Sequence, residues 1–113
     1  MGKQREKLKI RNMKLLIVTA IKVFEKEVKR MFKKAGINIF SFTDINGYRD
    51  LTEQAIESNW FGSEMNENES LMFYSFASQE KTDLLFKYAN EFNETQKTLS
   101  KIHVVILNVE KSN

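Results

Sequence analysis

The chain has 113 residues, a formal net charge of +3, one tryptophan, one histidine and neither cysteine nor proline. That length bounds a single domain with one modest core. The lack of cysteine excludes disulfides, thiolate metal sites, thiol nucleophiles and redox pairs, and no run approaches the roughly 18 apolar residues that a membrane span needs.

The positive charge is local. Residues 1–12 carry Lys3, Arg5, Lys7, Lys9 and Arg11 against Glu6, a balance of +4 that leaves −1 on residues 13–113. A nucleic-acid-binding domain wants a basic folded surface, so this distribution disfavours a nucleic-acid partner. Residues 1–12 are expected to be a disordered basic extension and residues 13–113 the domain. The charged N-terminus lacks the apolar centre of a signal peptide, so a cytoplasmic protein is expected.

Leu15-Leu16-Ile17-Val18 is a short continuous apolar run, the pattern of a strand covered on both sides. Phe24, Val28, Met31, Phe32 and Ala35 then fall at helical spacing, with charged residues between them, and Gly36 follows as a stop signal. A helix is predicted over 22–35. Ile37 to Ile45 alternates and is rich in β-branched and aromatic residues, which predicts a second strand ended by the Asn46-Gly47 turn signal.

Residues 46–68 break the tight spacing of elements. Ordering so long a connection costs backbone entropy that few contacts return, so it is either disordered alone or the working part of the molecule. It holds Tyr48, Arg49, the Trp60-Phe61-Gly62 cluster and an oxygen-rich end with Glu64 and Glu67, next to Glu69. Asp50-Leu51-Thr52-Glu53 resembles a capping box and predicts a short helix through Glu57.

Ser70 to Ala77 is the third strand. Ser78 caps a second helix with Leu84, Leu85, Tyr88, Ala89 and Phe92 as its buried stripe. Asn93 to Ser100 reads as a polar linker, and Ile102 to Val109 as the last strand. The order β-α-β-β-α-β, with right-handed crossovers, predicts an α+β fold: a ferredoxin-like sandwich with two helices on one face of a four-stranded antiparallel sheet.

With helices on one face only, strands should alternate apolar and polar. Strands one, three and four do not, so the other sheet face is expected to be apolar and to exceed what soluble monomers expose. Hiding several hundred Å² per subunit at ~25 cal/mol per Å² is worth on the order of 10 kcal/mol before association costs. Closed self-association is the expected result.

Met13-Lys14-Leu15-Leu16-Ile17-Val18-Thr19-Ala20, the helix ending Lys34-Ala35-Gly36, and Ile37 to Gly47 together resemble the opening of the PII signalling proteins. Lys101-Ile102-His103-Val104 falls where that family has a Lys followed by its last strand. The resemblance covers Met13 to Glu110. It implies a homotrimer with sheets buried centrally and no catalysis of its own. It also implies adenine nucleotide in clefts between subunits, and a long T-loop that engages a protein partner such as a transporter or enzyme. By the same resemblance Asn46 and Gly47 would lie at the T-loop base, and Lys101 would contact phosphate. The segment Asn93 to Ser100 departs from the family's glycine-rich phosphate loop, since it contains no glycine. Glycines let backbone N–H groups approach phosphate closely, so the ligand stays open.

His103 is the lone histidine, with no Ser or Cys placed beside it by sequence, and the bland reading is a packing or interface residue. A rival reading is metal handling by a CutA-like or efflux-associated relative. Glu64, Glu67 and Glu69, with His103, would bind a cation there, oxygen ligands suiting hard ions and an imidazole shifting the choice to transition metals. Trp60 and Phe61 either pin the long connection to the domain or present a contact to a partner, with Tyr48 and Arg49 alongside. The third strand carries Phe73, Tyr74 and Phe76 without a basic residue, which argues against an RNA-recognition module of the same element order.

Overall fold

A computed structural model describes residues 12–46 and 69–113. Strand β1 spans Met13–Ile21 and leads through a 3-10 turn, Lys22–Phe24, into helix α1, Glu25–Lys34. Strand β2 is Ser41–Ile45, β3 is Ser70–Ser78, helix α2 is Gln79–Thr95 and β4 is His103–Asn108. The sheet order is β2-β3-β1-β4. Every neighbouring pair is antiparallel. This is the ferredoxin-like α+β sandwich expected from the order of elements.

The strand period assigns the faces. Leu16 lies opposite Ser75 and Ile106, and Val18 opposite Phe73 and Val104. These residues meet the helices: Leu16, Val18 and Phe73 are fully buried with Val28 and Phe32 of α1 and Leu85 of α2. Phe32 is the centre of an aromatic group, its ring 4.5 Å from that of Phe40 and 5.9 Å from that of Phe73. On α1 the buried Val28, Met31 and Phe32 share one side, while Lys26, Arg30 and Lys33 are exposed on the other, the stripe that a 3.6-residue period produces. Glu25 and Lys29, one turn apart, pair at 2.9 Å. The hydrogen bond from Lys29 holds the Glu25 carboxyl below its usual range. A lowered folded-state value means that the pair's support of the helix is complete above the ordinary carboxylate range and is lost as pH falls below it, through the lowered value.

Helix α1 ends in a Schellman motif. The Gly36 N–H donates to the Lys33 carbonyl at 3.0 Å and the Ile37 N–H to the Phe32 carbonyl at 2.9 Å. Gly36 has φ +79°, the left-handed region. Ile37 is buried in the same cluster as Phe32, closing the motif with an apolar contact. An added Cβ at Gly36 would meet only the Lys81 side chain at 3.6 Å, so there is room but the backbone is unfavourable. Gly36→Ala is therefore expected to cost about 1–2 kcal/mol, measured by chemical denaturation.

Three boundaries differ from expectation by three residues or more. The predicted first helix begins as a 3-10 turn. The second strand is five residues long, because the stretch before Ser41 does not join the ladder: the Ser75 hydroxyl donates to the Ile39 carbonyl at 2.6 Å instead. Helix α2 continues through Thr95, so Asn93 is helical and not part of a linker. Its last turn is held by the Thr95 hydroxyl, 3.2 Å from the Glu91 and Phe92 carbonyls, and by the Gln96 N–H, 2.9 Å from the Phe92 carbonyl. As expected, Ser78 caps α2 by accepting from the Lys81 N–H at 3.4 Å. The helix predicted over 50–57 lies outside the described residues, as do residues 1–11.

Candidate functional site

The sheet face turned away from the helices is apolar. By register it carries Leu15 between Phe76 and Leu107, and Ile17 between Tyr74 and Val105. Phe76 is 58% exposed, Leu107 44% and Tyr74 41%. No described element covers this face. Contiguous apolar surface of this kind is uncommon on soluble monomers.

At one end of that face the character turns polar. His103, Thr19, Met72 and Thr43 form a row across all four strands. Thr19 is 1% exposed, and its hydroxyl has no hydrogen-bond partner among the described residues. A buried hydroxyl without a partner forfeits its hydration, so Thr19→Val is expected to be neutral or stabilising by up to about 1 kcal/mol in a denaturant titration.

The residues that flank 46–68 in sequence lie at the same end of the sheet. Asp44 sits near the end of β2 and Glu69 just before β3. The Lys22 ammonium lies 3.8 Å from the Asp44 carboxylate and 3.6 Å from that of Glu69, and its backbone N–H donates to the Glu69 carbonyl at 2.7 Å. Lys22 thus spans both ends of the connection from the first turn after β1. All three side chains are half or more exposed, so the ion pairs set position more than stability. Asn46 follows Ile45, which opposes Ser70.

Lys101 sits at the entrance to β4, at the same end of the sheet but on its opposite edge. Its ammonium donates to the Asn93 carbonyl in the last turn of α2 at 3.0 Å, where a cation suits the helix dipole. The Asn93 carboxamide brackets the Ile102 peptide: Nδ2 donates to its carbonyl and Oδ1 accepts its N–H, both at 2.8 Å. Between them Gln96 closes the turn. Its Nε2 donates to the carbonyls of Thr98 at 2.9 Å and Ser100 at 2.6 Å, and its Oε1 accepts the Thr98 N–H at 2.7 Å. Leu99 stands at this turn with 94% of its surface exposed.

Within one chain, the end of β2 and the entrance to β4 are separated by three strand spacings, roughly 14 Å. Asn46 and Lys101 are therefore not brought together by a single copy. Glu69 and His103 are not brought together either: strand alternation puts His103 on the apolar face, while Glu69 pairs with Lys22. Among the described residues no group of three or more His, Cys, Asp or Glu is placed to hold a metal. Gly47, Tyr48, Arg49, Trp60, Phe61, Glu64 and Glu67 lie outside the described residues. Sequence reasoning did not single out Lys22, Asn93 or Gln96. The signal for the last two was present, since an Asn and a Gln near a helix end without a C-terminal glycine carry both donor and acceptor for the unsatisfied backbone.

These features define an open antiparallel ferredoxin-like sheet with a long β2–β3 connection and an uncovered apolar face. No protein-family model matches the chain, and no curated protein matches it in sequence. Solved structures do share the fold. A nitrogen regulatory PII-like protein, CPII from Thiomonas intermedia K12, solved with ADP, AMP and bicarbonate, aligns with a TM-score of 0.55 at 12% identity over 89% of this chain and 96% of that one. GlnK of B. subtilis aligns with a TM-score of 0.56 at 9% identity over 87% of this chain and 85% of that one. A PII-like signalling protein from Thermus thermophilus gives 0.54 at 15% identity over 86% of each. The chain thus has the fold of the PII-like proteins, as the resemblance of its opening residues implied. No helix among the described residues is long and apolar enough to cross a membrane.

Proposed function

We propose that this chain is a non-enzymatic, PII-like regulatory module of the cytoplasm. It assembles as a homotrimer, takes a small ligand in clefts between copies, and acts on a partner protein, such as a transporter or enzyme, through residues 46–68. The observation that carries this reading is the apolar sheet face centred on Ile17, Tyr74 and Val105, exposed in a chain that has the PII-like fold. A second copy has the same face and can cover it, and a closed ring leaves none of it free.

The placement of Asn46 and Lys101 supports a shared cleft. They lie at one end of the sheet on opposite edges, so a small ligand that touches both must draw them from two copies. Gly47 would stand beside Asn46 at that cleft. Tyr48, Arg49, Trp60 and Phe61 are the proposed partner contacts, aromatic and arginine side chains being the usual anchors of protein interfaces. Ligand action requires only that it bind one arrangement of the connection better than another.

A thermal-shift screen against small metabolites and divalent cations tests the reading, because a ligand specific for the native state raises its melting temperature. The expected result is stabilisation by a metabolite that disappears in a variant unable to assemble. Stabilisation that survives in the monomer would overturn the shared cleft. Stabilisation by divalent cations alone, lost on replacing Glu64, Glu67 and Glu69, would replace the sensor reading by metal handling.

A further inference from the structure

The turn between α2 and β4 decides what class of ligand the proposed cleft can take. We infer that residues 93–102 form a closed turn, lined on its inner side by hydrogen-bond acceptors, that rejects phosphate. The proposed ligand is then not a nucleotide held through its phosphates by this turn. The inference refines the ligand of the cleft proposed above, yet it concerns one chain and holds whether or not copies assemble.

A backbone phosphate site needs several N–H groups converging on one point, commonly from a nest in which right- and left-handed residues alternate. This turn has the opposite polarity. The carbonyl oxygens of Thr98 and Ser100 both converge on the Gln96 Nε2. The N–H of Thr98 is held by the Gln96 Oε1, and the N–H of Ile102 by the Asn93 Oδ1. An anion placed inside the turn would meet two carbonyl oxygens and would have to expel the carboxamide that satisfies them.

Backbone conformation points the same way. Among the described residues only Gly36 has a positive φ, so 93–102 contains no left-handed residue and no nest. It also contains no glycine that could adopt one readily. The Lys101 ammonium does not rescue the site. It donates to the Asn93 carbonyl in the last turn of α2, and that end of a helix carries partial negative charge, unfavourable to an anion. A PII-like protein of the same fold has been solved with ADP and AMP, whereas in this chain the Gln96 and Asn93 side chains occupy the Thr98 and Ile102 N–H groups.

Amide-resolved NMR of the full chain tests this in two arms. In the first, ADP and inorganic pyrophosphate are titrated to millimolar concentration. The Thr98, Lys101 and Ile102 amide signals are expected to stay in place. Saturable movement of those signals would overturn the inference, and it would do so without harming the regulatory reading. In the second, hydrogen exchange is measured in Gln96→Ala and Asn93→Ala. Gln96→Ala is expected to speed exchange at Thr98 by about fivefold and leave Ile102 protected, with Asn93→Ala giving the reverse, since one hydrogen bond is worth on the order of 1 kcal/mol. Unchanged exchange at Thr98 in Gln96→Ala would show that the carboxamide does not close the turn, and the inference would fall. Both positions are partly exposed, and the unaffected amide in each variant reports that the fold is intact.

Discussion

Ile17→Glu is expected to yield a folded monomer. Ile17 is flanked across the sheet by Tyr74 and Val105, at the centre of the apolar face. In one chain the position is only half buried, so a carboxylate there can reach water and the fold survives. In an assembly that covers the face, the carboxylate would be sealed among apolar groups. Burying an unpaired charge costs at least several kcal/mol, and each 1.4 kcal/mol is tenfold in a dissociation constant. Dissociation should therefore become at least about a hundredfold easier, read by sedimentation velocity, with circular dichroism showing unchanged helix content. Loss of the fold in Ile17→Glu would mean that the position supports the chain itself, and Phe76→Glu, on a side chain already 58% exposed, then separates the two effects.

The largest effect on stability is expected from Phe32→Ala. Phe32 is fully buried, stacks near Phe40 and Phe73, and sits where α1 closes in its Schellman motif. Removing the ring empties the junction of α1, the Ile37–Phe40 stretch and β3 at once. Such truncations cost about 3–5 kcal/mol, a large fraction of what a domain of this size has in reserve. By contrast Phe86 is 44% exposed on α2, and Phe86→Ala should stay under about 1 kcal/mol. Both are measured by denaturant titration at one fixed protein concentration, because the proposed assembly would make apparent stability concentration-dependent.

The apolar run of β1 was legible because strand burial on both sides leaves no alternation, and the same lack of alternation in strands one, three and four foretold the uncovered face. The stripe Val28, Met31, Phe32 was legible because helical period and charge agree. The length of β2 was not. Ile37 to Ile45 alternates throughout, but a strand is defined by its partner, and the Ser75 hydroxyl takes the Ile39 carbonyl where a ladder bond would otherwise form. The extent of α2 was hidden because Asn93, Glu94 and Thr95 are polar and look like linker, while the Thr95 hydroxyl satisfies the last-turn carbonyls from within.

The bonding around the candidate site was not legible in the sequence. Lys101 stands out in sequence by its place before the last strand, but what it bonds to depends on Asn93, eight residues away on a helix. The role of Lys22 arises only when β2 and β3 meet and bring Asp44 and Glu69 to it from positions twenty-five residues apart. Non-local ion pairs of this kind leave no periodic trace. The glycine-free segment was visible as a departure. Its meaning, an inner side lined by carbonyl oxygens, needed the Gln96 hydrogen bonds.

The most direct measurement is the mass of the full chain in solution, by sedimentation equilibrium across micromolar concentrations. The expected result is a particle of three chains whose mass does not fall on dilution through that range. A monodisperse single chain would contradict it, because the apolar face would then be stable in water and no cleft between copies would exist.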